Sequence, residues 1–127
     1  MSPRAAALIA IAIGGAVGAL VRAGLAEGLP SEQWPVGTLV VNITGTVLLA
    51  MVAALIAWRP SLPHWFHPLA AVGFCGSLTT FSGIQLEALG LMRRGMSATA
   101  VLYVGATVVL GLIAVVATRR AMARVLG

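Results

Sequence analysis

The sequence predicts an all-α membrane protein with four transmembrane helices and a break in the third. Three observations lead there. Of the 127 residues, 60% are hydrophobic and 9% charged, whereas a soluble domain carries roughly 25% charged residues. With a mean hydropathy of +1.03, the chain has too little polar surface to face water on all sides. Charges and prolines then divide it into four apolar stretches, 5–25, 35–58, 68–92 and 97–118, each near or above the ~20 residues that span a hydrocarbon core. Finally, the third stretch contains Gly73-Phe-Cys-Gly-Ser-Leu-Thr-Thr-Phe-Ser-Gly83, a run of glycines and hydroxyls that a lipid-facing helix has no use for.

The first stretch follows Arg4 and stays uncharged to Val21. That is longer than the ~7–15-residue apolar region of a cleaved signal, so it reads as a retained helix ending near Arg22. Gly14 and Gly18 form a GxxxG pair with Gly15 and Ala19 beside them, a pattern that lets helices approach closely. The loop 26–34 carries Glu27 and Glu32.

Between Pro35 and Trp58 the second stretch is free of charge. Thr38, Asn42 and Thr46 recur every fourth residue and share one face. An asparagine at membrane depth needs a partner, and two roles are open to Asn42: a bond to a neighbouring helix, or a polar path. In the loop 59–67, His64 and His67 flank Trp65 and Phe66. With no carboxylate or thiol nearby, this reads as an interfacial aromatic belt rather than a metal site.

The third stretch is interrupted near residues 76–80. Irregular backbone at membrane depth survives only where protein buries it or where it lines an ion or water path, so the run reads as a site for an ion. Phe81 and Ile84 share the face that follows. A phenylalanine ring has a positive edge able to attract an anion. Glu87 is the only acid inside any stretch; a coupling residue, a pore-mouth charge and an interfacial acid are all consistent with it. The fourth stretch begins after Arg93-Arg94-Gly95 and repeats the polar stripe with Thr99, Tyr103 and Thr107, with Gly105 and Gly111 as small residues for packing. Uncharged donors of this kind suit a small anion.

No nucleophile–base pair, phosphate loop or cofactor motif is present, so the chain does not read as an enzyme. The lone Cys75 rules out an internal disulfide. The net charge of +5 comes entirely from arginines, with no lysine. They sit at stretch ends, where membrane topology explains them. Four spans place Arg4, Arg59, Arg119, Arg120 and Arg124 on one side and Arg22, Arg93 and Arg94 on the other. That division is too even to fix an orientation, and insertion both ways is open. A bundle this small encloses little volume, so a homo-oligomer, most simply a dimer, is expected.

Taken together, Gly14-Gly-Ala-Val-Gly-Ala-Leu-Val-Arg22, Trp34-Pro-Val-Gly-Thr-Leu-Val-Val-Asn42-Ile-Thr-Gly45, the run 73–82, Glu87, Arg94-Gly95 and Ala98-Thr-Ala100 with Tyr103 resemble, in order and over essentially the full length, the Fluc (CrcB) family of fluoride channels. The resemblance implies an antiparallel, dual-topology homodimer in a bacterial inner membrane, with two separate pores passing fluoride out of the cell. It implies a structural sodium ion (Na+) at the dimer centre, held by backbone carbonyls at Gly76 and Thr79. The pore positions it carries across are Asn42, Phe81, Ser82, Ile84, Tyr103 and Thr107, with Arg22 and Glu87 as associated charges. One position departs: the family usually reads Thr-Phe-Ser-Thr-Phe where this chain has Thr80-Phe-Ser-Gly-Ile84, so the second aromatic is missing. Two rivals share the four-span build. A proton-coupled multidrug transporter needs a carboxylate within the first helix, which this chain lacks. A non-transporting assembly protein explains the glycines but neither the hydroxyl-rich centre nor the polar stripes.

Overall fold

The computed structural model describes residues 1–29 and 34–127, so Glu32 of the first loop lies outside them. Four helical stretches are long and apolar enough to cross a membrane: Pro3–Gly28, Val36–Trp58, Pro68–Arg93 and Ser97–Leu126. The first two are α1 (Pro3–Gly28) and α2 (Val36–Trp58). The third is composite. It opens with a π-helical segment, Pro68–Cys75, continues through the single turn α3 (Gly76–Leu78), and resumes after two residues as α4 (Phe81–Arg93). Helix α5 (Ser97–Leu126) completes the chain.

The helices outrun the apolar stretches that predict them. At the N-terminus, Ser2 Oγ accepts the Ala5 N–H at 3.2 Å and Pro3 takes a first-turn position where no donor is needed. At the other end α1 continues to Gly28, so the loop expected from residue 26 begins later. Helix α5 passes Thr118 and carries Arg119, Arg120 and Arg124 to Leu126. No glycine or proline intervenes there, and Ala, Arg, Met and Leu are strong helix formers. Its 30 residues span about 45 Å, well beyond the ~30 Å hydrocarbon core, which carries those arginines to the interface.

Packing starts from α1, whose most extensive partner is the π-helical segment. A Cβ on Gly14 would collide with the Leu69 carbonyl oxygen, and one on Gly18 with that of Phe74. From the opposite side, a Cβ on Gly73 would stand 2.6 Å from the Ile11 carbonyl oxygen. Two backbones therefore touch through a glycine-lined seam, the use of small residues that membrane helices favour. The glycines of α5 behave differently. Neither Gly105 nor Gly111 has an atom within 4 Å of its would-be Cβ, because α5 meets its neighbours through a bulky residue, the fully buried Tyr103.

Between α4 and α5 the chain reverses in three residues. Gly95 takes φ 77°, its N–H donates to the Met92 carbonyl at 3.0 Å, and the Met96 N–H donates to that of Leu91 at 2.9 Å. This double bond pattern around a left-handed glycine closes a helix end efficiently. It also docks α4 on α5 through a cluster of Leu91, Ala100 and Tyr103, joined by Trp34, Leu39, Ile84, Ala88 and Met96. Val41, Cys75 and Leu78 are buried as well, but most other apolar side chains face outward. Only 17–22% of each apolar window is buried, so the outer surface is suited to lipid or to another apolar surface, and the protein is a multi-pass membrane protein.

Candidate functional site

Two residues set the site. Thr79 (φ −82°, ψ 153°) and Thr80 (φ −145°, ψ 124°) are extended, between a helix that ends at Leu78 and one that starts at Phe81. Extended backbone at this depth leaves peptide groups with no helical partner, each costing about 1–3 kcal/mol if buried and unmet. The side chain of Asn42 meets both groups of Thr80. Its Nδ2 donates to the Thr80 carbonyl at 3.0 Å, and the Thr80 N–H donates to its Oδ1 at 2.7 Å. A primary amide offers a donor and an acceptor side by side, so Asn42, 7% exposed, imitates a paired strand. Thr80 then caps α4, its Oγ1 accepting the Gly83 N–H at 3.0 Å. Ser82 Oγ lies 3.3 Å from the same oxygen.

One turn further along α4, Glu87 joins three elements. Thr38 of α2 donates its hydroxyl to Oε1 at 2.6 Å, and Tyr103 of α5 donates to Oε2 at 2.6 Å. The Trp34 ring meets Tyr103 edge-on, with centroids 6.0 Å apart at 84°. Both carboxylate oxygens of Glu87 are thus engaged by protein hydroxyls. Short bonds to a charged acceptor are the stronger kind.

The polar stripes are less free than their spacing suggests. Thr46 donates to its own helix at the Asn42 carbonyl, 2.7 Å, and Thr107 to the Tyr103 carbonyl, 2.8 Å. A hydroxyl has one hydrogen, so these two present lone pairs, and each must rotate to serve an anion. The donors closest to the extended residues are the second Nδ2 hydrogen of Asn42 and the Thr80–Ser82 hydroxyl pair.

A cleft of about 1040 Å³ runs between α2 and α5 and reaches the extended residues. It gathers Asn42, Thr79, Phe81, Ile84 and Thr107 among its lining. Ser82, Glu87, Tyr103 and Arg22 are not in that lining: Tyr103 is fully buried, Ser82 is exposed on α4 and Arg22 is half-buried on α1. Phe81 lines the cleft yet is 74% exposed in the single subunit. Gly76 is exposed as well.

The carbonyls of Gly76 and Thr79 have a particular status. The Thr80 N–H, which a continuous helix would give to the Gly76 carbonyl, goes to Asn42. The Gly83 N–H, which would reach that of Thr79, goes to the Thr80 hydroxyl. Both oxygens thereby lose their helical donors. His64 and His67 are both exposed, and no group of three or more His, Cys, Asp or Glu forms among the described residues.

Two site residues escape a reading of the sequence alone: Thr80 as the backbone partner of Asn42, and Thr38 as a donor to Glu87. The spacing of α2 puts Thr38 and Asn42 on one face, and that is the only signal for either.

A sequence profile described as "CrcB-like protein, Camphor Resistance (CrcB)" matches residues 9–119. The chain belongs to the CrcB family. Curated members of the CrcB family are similar along most of their length. A protein of Bordetella pertussis named fluoride-specific ion channel FluC is 43% identical over 99 residues, which cover 78% of this chain and 77% of that one. One of Geobacillus kaustophilus, named fluoride-specific ion channel FluC 2, is 38% identical over 109 residues, covering 84% of each. One of Nitrobacter hamburgensis, named fluoride-specific ion channel FluC 1, is 40% identical over 113 residues, covering 87% of this chain and 90% of that one.

Proposed function

We propose that two copies of this chain, inserted in opposite orientations in a bacterial inner membrane, form a passive channel that is selective for fluoride and lets it leave the cytoplasm. The observation that carries this reading is the Asn42–Thr80 pair. It holds two extended residues at membrane depth, in a chain whose relatives are named as fluoride-specific ion channels. Non-helical backbone there is a cost that a purely structural bundle has no reason to bear.

Fluoride is small and holds its water tightly, so a selective path must replace that water with closely spaced donors in a passage too narrow for chloride. Asn42 supplies an N–H beyond the one given to Thr80, Ser82 a hydroxyl, and Phe81 a ring edge that attracts an anion weakly enough to release it. Thr107 contributes its hydroxyl on rotation. Ile84 gives an apolar wall where a second ring edge is absent. Tyr103 and Glu87 hold α4, α5 and α2 in register through two short bonds. Arg22 and Glu87 are associated charges that stand outside the cleft lining. Conduction of this kind needs no catalytic step.

A second copy is supported by the outer face of α4. Phe81, Ser82 and Gln85 are exposed in the single subunit, and an amide and a hydroxyl facing lipid would be poorly satisfied. The freed carbonyls of Gly76 and Thr79 fit sodium, because neutral hard oxygens suit a small hard cation. Bound between two subunits, sodium would supply a fixed positive charge beside the anion path.

Purified protein in liposomes loaded with potassium fluoride tests the proposal, with valinomycin to carry the counter-ion and no pH gradient. Fluoride efflux without matching chloride efflux is expected. Comparable chloride efflux, or fluoride movement only under a proton gradient, would replace the channel reading.

A further inference from the structure

We propose that Arg119 acts as an electrostatic collector for the permeating anion at one mouth of the cleft; the proposal rests on the fluoride-channel reading above. The face of α5 that carries Tyr103 and Thr107 continues at spacing four through Gly111 and Val115 to Arg119. Thr107, Gly111, Val115 and Arg119 all line the cleft. Twelve residues of helix place Arg119 about 18 Å from Thr107, and beyond it Met122, Ala123, Leu126 and Gly127 line the last part of the cleft.

Among the described residues, Arg119 is the one side chain with a formal charge in that lining. Across from it, α2 contributes Ala50, Ala53 and Ala57, small and apolar residues that offer an anion nothing to bind, and Trp58, whose indole N–H is an uncharged donor. An anion entering from this end therefore passes Met122, Ala123 and Leu126, then Arg119, and then a low-polarity passage before it reaches Asn42 and Thr107. Low-dielectric walls focus the field of a charge at their mouth and raise the local concentration of its counter-ion. An arginine is charged at every working pH. Because Arg119 is exposed, its attraction is shallow and does not trap the ion. Arg120 and Arg124 are exposed on the same helix end but do not line the cleft. In an antiparallel pair, each side of the membrane carries one Arg119 mouth.

Flux at low fluoride is compared in phosphatidylcholine liposomes, at ~0.01 M and ~1 M ionic strength set with an impermeant salt. The Debye length falls between these conditions from about 30 Å to about 3 Å. Arg119→Gln is expected to lower flux about threefold at the lower ionic strength and by less than about 1.5-fold at the higher. Arg119→Lys should keep the wild-type salt dependence, and Arg120→Gln should stay within about 1.5-fold at both salts. Equal loss at both salts in Arg119→Gln would mean that the side chain acts through packing, and would overturn the proposal. So would an equal effect of Arg120→Gln, or an effect that appears only when anionic lipid is added, which would assign Arg119 to lipid headgroups. A wild-type protein silent toward fluoride at both salts would instead overturn the channel reading on which the proposal stands. Normal wild-type flux with unchanged Arg119→Gln would overturn the collector alone.

Discussion

Asn42 carries two duties that a single substitution can separate. It satisfies both backbone groups of Thr80 and presents a further N–H at the cleft. Asn42→Asp keeps the size and the acceptor but replaces the donor to the Thr80 carbonyl with a second oxygen, and it sets a negative charge in an anion's path. Fluoride flux should fall more than about tenfold, the effect of ~1.4 kcal/mol on a barrier, while the protein still elutes as a dimer. Normal flux from such a dimer would confine Asn42 to a structural part. Ile84 makes the milder case. It lines the cleft and packs against the Leu91–Tyr103 cluster, so a larger ring at this position has open space on one side. An aromatic edge contributes only about 0.5–1.5 kcal/mol, so Ile84→Phe should raise fluoride flux by no more than about tenfold. An unchanged rate would mean that the second ring edge is not what this pore lacks. At this scale the sequence is only partly legible. Spacing identifies Thr38, Asn42, Tyr103 and Thr107 as polar faces, but not where each proton goes. The hydroxyls of Thr46 and Thr107 return to their own helices, and those of Thr38 and Tyr103 converge on Glu87. Those choices depend on how three helices rotate against one another, which one-dimensional spacing does not encode.

Among the elements, α1 and the π-helical segment are joined by contacts that have no slack. The atoms facing Gly14 and Gly18 are backbone carbonyls of Leu69 and Phe74, and a backbone cannot turn aside as a side chain can. Gly18→Val should therefore force the two segments apart and destabilise the protein by about 1–3 kcal/mol or more, read as a lower melting temperature in detergent. Gly105→Val, which meets nothing within the chain, should leave the isolated subunit's stability nearly unchanged and serves as the control. An unchanged melting temperature for Gly18→Val would show that the two segments can part at this seam without cost. The four helices were legible because apolar length between charges is a strong signal, and the GxxxG pair correctly marked a close seam. Their ends were less so. Hydropathy stops at the arginines, whereas the backbone of α5 continues to Leu126 because nothing in that stretch breaks a helix. The π-winding of Pro68–Cys75 left no periodic trace, since nearly every residue in it is apolar.

For the whole molecule, the account requires that a surface which is apolar almost everywhere, yet carries Ser82, Gln85 and the Gly76 backbone on one face, be covered by a second copy. It also requires that the path so formed admit fluoride and exclude chloride. Size and hydration separate these ions. The most direct measurement is the reversal potential of the reconstituted wild-type protein in a planar bilayer, with fluoride on one side and an equal concentration of chloride on the other at symmetrical pH. A large potential is expected that tracks the fluoride gradient as fluoride is varied and stays indifferent to chloride. A reversal potential near zero, or one that follows the proton gradient when pH is made unequal, would contradict it.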